Sequence, residues 1–151
     1  MSRVDFYHLQ KFTIDDVLPK LLEKAYKTEK NIIVKIGNDE RVDFINNILW
    51  TYDETSFLPH GSKKDGNAEN QPIWLTSGND NPNDASLLFL VDEADINIDN
   101  INKFERLFYI FDGNTETALQ KARDFWRQLK NTESECFYWQ QDESGSWKQK
   151  A

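Results

Sequence analysis

Apolar positions along the chain switch between two periods. From Val4 to Leu9 they crowd into a short, aromatic-rich stretch that reads as a strand and is closed by the polar Gln10 and Lys11. Val17, Leu18, Leu21, Leu22, Ala25 and Tyr26 then recur at the spacings of one helix face, which predicts a helix capped by Thr13 or Asp16. Pro19 favours the later of these starts, because a proline fits best in the first turn, where no partner is needed for its missing N–H. The run NIIVKI, Asn31 to Ile36, has the composition of a strand buried on both faces, and Gly37-Asn38-Asp39 supplies a turn and a cap for a helix reaching about Trp50.

The second half repeats this grammar after a long interruption. Residues 51–71 lack a sustained period and contain Pro59, Gly61 and Gly66, so they read as a loop with a turn around Pro59-His60-Gly61. Strands are expected at Pro72–Thr76, Ser86–Val91 and Phe104–Phe111, the first two separated by the polar SGNDNPNDA. A helix from about Asn114 to Lys130 carries Ala118, Leu119, Ala122, Phe125, Trp126 and Leu129 on one stripe. Glu135–Gln140 can add a last strand, after which the tail either frays or docks through Trp147. Doubly buried strands alternating with helices predict an α/β fold. The expected form is one domain over residues 1–151, with a mostly parallel sheet and helices on both faces, Rossmann-like but without a nucleotide site.

Charge narrows the partners such a domain can take. Eighteen Lys and Arg against 26 Asp and Glu leave a formal net charge of −8, which opposes direct, tight binding to nucleic acid. A mean hydropathy of −0.74 together with 13% aromatic residues describes a polar surface around a packed core. Cys136 is the only cysteine and has no intramolecular disulfide partner. No apolar run approaches the roughly 20 residues of a membrane span, and the opening MSRVDFYHL lacks the apolar core of a signal peptide, so a cytoplasmic protein is expected.

Two places invite chemistry. Leu87–Asp95, LLFLVDEAD, resembles the magnesium-binding strand end of an ATPase, and a nucleotide-dependent α/β enzyme using Asp92 and Glu93 is the alternative to a binding role. Its counterpart, a glycine loop leading into Lys-Ser or Lys-Thr at a helix start, is absent from the chain. His8, His60 and Cys136 show no ligand spacing, so neither a metal nor a cofactor is expected, and His60 is read as bonding within its own loop. The last helix is more informative. At 100° per residue its apolar stripe runs from Phe125 to an edge formed by Leu119 and Trp126, and Arg123, Arg127 and Lys130 fall beside that edge. Cations next to an aromatic suit a peptide that combines carboxylates with an apolar anchor, although a basic C-terminal half also complements the helix dipole.

The stretch Leu49–Gly61, LWTYDETSFLPHG, resembles the LW…SF.PH segment of the chi subunit of bacterial DNA polymerase III. DFYHL at the start, PIWLT after the loop, and FERLFYIFDGNTETALQKARDFWRQLK follow in the order and spacing of that family. The resemblance implies an α/β domain without an active site of its own. It further implies an accessory role in the polymerase holoenzyme, binding the acidic C-terminal tail of single-stranded DNA-binding protein, with a psi subunit or another clamp-loader subunit as a second partner. Family positions for the tail, basic residues and an aromatic on the last helix, correspond here to Arg123, Trp126 and Arg127, with Lys130 assisting. Leu119 stands where the family has a lysine, and the polar stretches 77–85 and 92–102 are unlike those of the best-known members.

Overall fold

A computed structural model describes residues 2–52 and 58–151. The centre of the LWTYDETSFLPHG stretch, residues 53–57, therefore lies outside the described residues. Strand β1 (Arg3–Leu9) leads into helix α1 (Ile14–Tyr26), β2 (Ile32–Ile36) and α2 (Asp39–Thr51). Next come β3 (Gly61–Ser62), β4 (Ile73–Thr76), β5 (Leu87–Val91), β6 (Arg106–Asp112), α3 (Glu116–Leu129), β7 (Glu135–Gln141) and β8 (Trp147–Gln149). The strands form one sheet in the order β3-β4-β2-β5-β6-β1-β7-β8, parallel throughout except for the antiparallel pair β7/β8.

Side-chain alternation divides the core into two layers. Tyr7, Leu9, Val34, Ile36, Phe89, Val91, Phe108 and Ile110 face α1 and α2, whereas Phe6, Ile33, Leu88, Leu90, Leu107, Tyr109 and Phe111 face α3. Strands β2, β5 and β6 are largely apolar on both sides, the pattern expected of a parallel sheet sandwiched between helices. The three-layer α/β reading of the sequence agrees with this arrangement.

Local departures have local causes. Helix α1 begins at Ile14 with Thr13 as its cap, not at the later start, so Pro19 lies beyond the first turn. The Asp16 carboxylate ties that start by accepting from the Thr13 hydroxyl at 3.1 Å and from its backbone N–H at 3.4 Å. Pro19 is buried with Val17, Leu18 and Leu22, and this packing offsets the helical bond that proline cannot make. In the long connector the turn assigned to Pro59-His60-Gly61 gives way to edge strand β3 at Gly61, and a single 3-10 turn follows at Ala68–Asn70. A second 3-10 segment, Ile98–Lys103, buries Ile101 against the α3 layer within a stretch whose composition reads as loop. Trp147 does not fray: β8 pairs with β7, and the indole meets Tyr7 edge-on at 5.1 Å. No helix among the described residues is long and apolar enough to cross a membrane.

Candidate functional site on the alpha 3 flank

Helix α3 buries Ala118, Ala122, Phe125 and Leu129 over β6 and β1, which leaves its next row of side chains along the border with β7. Trp126 occupies that border and is half-buried. Its ring stands edge-on to Phe6 at 5.2 Å and to Tyr138 at 5.9 Å. Lys130 Nζ lies over the same indole, 4.8 Å from the ring centre. Leu119 and Cys136 are also partly buried against this cluster, so the border offers an apolar floor that no helix covers.

Arg123 is exposed one turn before Trp126 and Arg127. Its charge acts on the strand residues below: it pushes the His8 imidazole down, after burial itself, and opposes the upward push that burial gives the Tyr138 phenol. His8 Nδ1 and the Tyr138 hydroxyl are 2.6 Å apart and share a hydrogen bond. Neither Arg123 nor Lys130 is ion-paired among the described residues. Arg127 is different: it donates to Asp124 at 3.1 Å, and Asp124 also accepts from Gln120 at 3.0 Å. Of the four residues singled out in the sequence, the structure gathers Arg123, Trp126 and Lys130 around one apolar patch and turns Arg127 toward Asp124. An exposed pair of this kind contributes under about 1 kcal/mol, so Arg127 remains available to exchange partners. Lys121 lies on the opposite flank, 3.9 Å from Glu93.

His8 and Tyr138 were not legible as part of this site. Period-two alternation puts Phe6 with His8, and Cys136 with Tyr138, on one face each, but only the pairing of β1 with β7 sets those faces side by side. The geometry predicts that an NMR titration finds the His8 pKa below the ordinary histidine range, and that Arg123→Ala raises it while Lys121→Ala does not. The other neighbours act as follows: Asp112 pulls the value up, and Tyr138 is the hydrogen-bond partner. With a lowered folded-state value, the unfolded chain takes up this proton first, so His8 weakens the fold as pH falls through about 6.5. An unshifted His8, or one indifferent to Arg123→Ala, would contradict the arrangement.

The other candidates take structural places. Asp92 and Glu93 both have positive φ, at 52° and 63°, in the turn that leaves β5. Arg41 donates to Asp92 at 2.8 Å and to Asp15 at 3.0 Å, tying this turn to α1 and α2. A Cβ on Gly37 would sit 2.1 Å from the Asp92 carbonyl oxygen, so the two loops meet backbone to backbone. Beside them a cleft of about 480 Å³ opens at the carboxyl edge of the sheet, lined in part by Asp92, Glu93 and Asp112. Lys11 and Arg41 share this lining with the carboxylates, and Arg41 is committed to Asp92 and Asp15. His60 is buried and bonds the Leu58 carbonyl at 2.6 Å, within its own loop as the sequence suggests. Cys136 is only half-buried, at the sheet margin, and burial still pushes its thiol pKa up, against the pull of Lys130. No group of three or more His, Cys, Asp or Glu suited to a metal occurs among the described residues.

Comparison with known proteins bears on the whole of this architecture. The probable DNA polymerase III subunit chi of Rickettsia prowazekii (strain Madrid E) is 29% identical over 154 aligned residues, covering 97% of this chain and 91% of its own. The family model described as DNA polymerase III chi subunit, HolC, matches residues 1–136, from the first strand to the beginning of β7 and including all three helices. On that match the chain belongs to the DNA polymerase III chi-subunit family.

Proposed function

We propose that this chi-family protein is a non-catalytic adaptor of the replicative polymerase, holding the acidic C-terminal tail of single-stranded DNA-binding protein on the α3 flank. A second surface joins it to a psi subunit or another clamp-loader subunit. The observation that carries the reading is the pairing of two exposed cations free of ion pairs among the described residues, Arg123 and Lys130, with the half-buried, Tyr138-backed Trp126. A guanidinium can grip both oxygens of a terminal carboxylate, and the adjacent apolar floor can seat the side chain next to it. Arg127 and Lys130 face the carboxylates further along the tail. The net charge of −8 fits this division of labour, in which contact with DNA is left to the partner.

Calorimetric titration of a tail peptide into wild type, Arg123→Ala and Lys121→Ala tests the site. Loss of the Arg123 charge weakens binding by about 1.5 to 3 kcal/mol, the worth of a hydrogen bond to a charged group, or roughly 10- to 150-fold. Lys121→Ala leaves the affinity near the wild-type value, because that side chain lies on the far flank beside Glu93. Equal losses in the two variants, or a wild type that does not bind, would refute the site. Circular dichroism of each variant shows whether the fold is intact.

A further inference from the structure

The family match ends at Cys136, yet the surface next to Trp126 continues past it onto the β7/β8 hairpin. The register pairs Gln140 with Lys148 and Gln141 with Trp147. Backbone bonds extend the ladder: Lys150 N–H donates to the Tyr138 carbonyl at 2.7 Å, and Tyr138 N–H donates to the Ala151 carbonyl at 3.1 Å. Residues directly opposite each other in an antiparallel pair project from the same face. Trp139 and Trp147 pack with the α1 layer, so Tyr138 and Gln140, and with them Lys148 and Lys150, belong to the α3 face.

Two rows of positive charge thus border one strip. Arg123 and Lys130 stand on its α3 side. Lys148 and Lys150 stand on its β8 side, one strand spacing, about 4.8 Å, beyond the row that holds Cys136, Tyr138 and Gln140. Those three floor residues are only partly buried, and among the described residues the strip stays open to solvent. Both lysines are exposed, and neither is ion-paired among the described residues. Of the two acids in the preceding turn, Glu143 makes no ion pair among the described residues, and Asp142, which feels the Lys148 charge, is held by its own turn, accepting from the Ser144 hydroxyl at 2.6 Å, from Ser144 N–H at 2.9 Å and from Ser146 N–H at 3.0 Å. A strip with an apolar floor and cations along both margins matches an extended peptide that alternates carboxylates with small or apolar residues.

We infer that Lys148 and Lys150 form the second margin of the acidic-peptide site, engaging carboxylates upstream of the anchored end. This inference rests on the α3-flank reading and extends it. The end of the peptide is gripped by Arg123 beside Trp126. Its acidic stretch crosses Tyr138 and lies between Lys130 on one side and the β8 lysines on the other. Exposed charges in this arrangement act through water, so their contribution fades with salt while that of the anchored end persists.

Fluorescence anisotropy with two labelled synthetic peptides separates the parts. Both peptides end in the same apolar residue with a free carboxylate, one preceded by aspartates and the other by asparagines at the same positions. Lys148→Gln/Lys150→Gln is expected to weaken the aspartate peptide by about 3- to 10-fold at low salt, the combined worth of two exposed pairs, and to flatten the salt dependence. The asparagine peptide should bind this variant as it binds wild type, while Arg123→Ala weakens both peptides. Wild type that binds with a double variant that is indistinguishable from it overturns the role of β8 alone. So does a double variant that loses both peptides equally, since the effect would then bypass the carboxylates. Failure of wild type to bind either peptide removes the α3 site and the β8 margin together.

Discussion

Replacing Phe6 with alanine lowers the unfolding free energy by about 3 to 5 kcal/mol, the usual cost of truncating a buried phenylalanine. Phe6 is fully buried and touches rings on three elements: Tyr109 at 5.2 Å, Phe125 at 5.7 Å, Trp126 at 5.2 Å and Tyr138 at 6.2 Å. The void cannot close by a local adjustment, because the strand beneath is fixed by parallel neighbours on both sides. Phe6→Leu keeps most of the volume and is expected to lose less than about 1.5 kcal/mol. Urea unfolding of the three proteins is the measurement, and a Phe6→Ala loss below about 1 kcal/mol would show that the aromatic cluster is not close-packed. Since Phe6 also seats the indole of Trp126, Phe6→Leu should weaken the tail peptide more than its small effect on stability suggests.

One position earlier, on the opposite face of the strand, Asp5→Ala is expected to cost about 3 kcal/mol. The Asp5 carboxylate is wholly buried and accepts from Arg3 at 3.0 Å, from Arg106 at 2.8 Å and from the Trp139 indole N–H at 3.1 Å. It therefore joins β1, β6 and β7 across a largely apolar layer. Both guanidinium groups are partly exposed and lie over aromatic rings, Arg3 over Phe137 and Arg106 over Phe108, each 4.3 Å from the centroid. Freed from Asp5 they can turn to water, which places the loss at the lower end of the range for a broken buried pair. A double-mutant cycle checks the assignment: on the Asp5→Ala background, Arg106→Ala should add little, and full additivity would mean the two side chains do not share an interaction.

These adjacent residues mark where sequence reasoning stops. The DFYHL run identifies a strand because its apolar density is high, and the same density hides the role of the aspartate, which resembles a polar strand edge. The available signal was Arg3 two residues before Asp5, on the same face of a strand. Arg106 and Trp139 become its partners only through the sheet order, which no local pattern encodes. Helix α3 was legible in detail because its stripe is clean, and the angular placement of Arg123, Trp126 and Lys130 needed no tertiary information. The turn of Arg127 toward Asp124 follows from their spacing, a pairing that competes with any ligand. The start of α1 was misjudged because a proline rule about isolated helices yields to packing when the proline is itself in the core. Trp147 could have frayed or docked, and Tyr7, distant along the chain, decides between the two.

The position of β1 has a consequence for how the chain acquires its shape during synthesis. Strand β1 is made before β6 and β7 but has its register set by Arg106 on one side and Glu135 on the other, so it waits for about a hundred further residues before either neighbour exists. The strands β2, β4 and β5, with α1 and α2, can assemble earlier, since their partners follow closely in sequence. Until β6 and β7 arrive, Val4, Phe6, Tyr7 and Leu9 have no sheet to enter and leave a sticky, strand-prone segment exposed on the nascent chain. Chaperone contact during translation should therefore concentrate on this opening segment, and its release should coincide with the appearance of the strand that carries Tyr138.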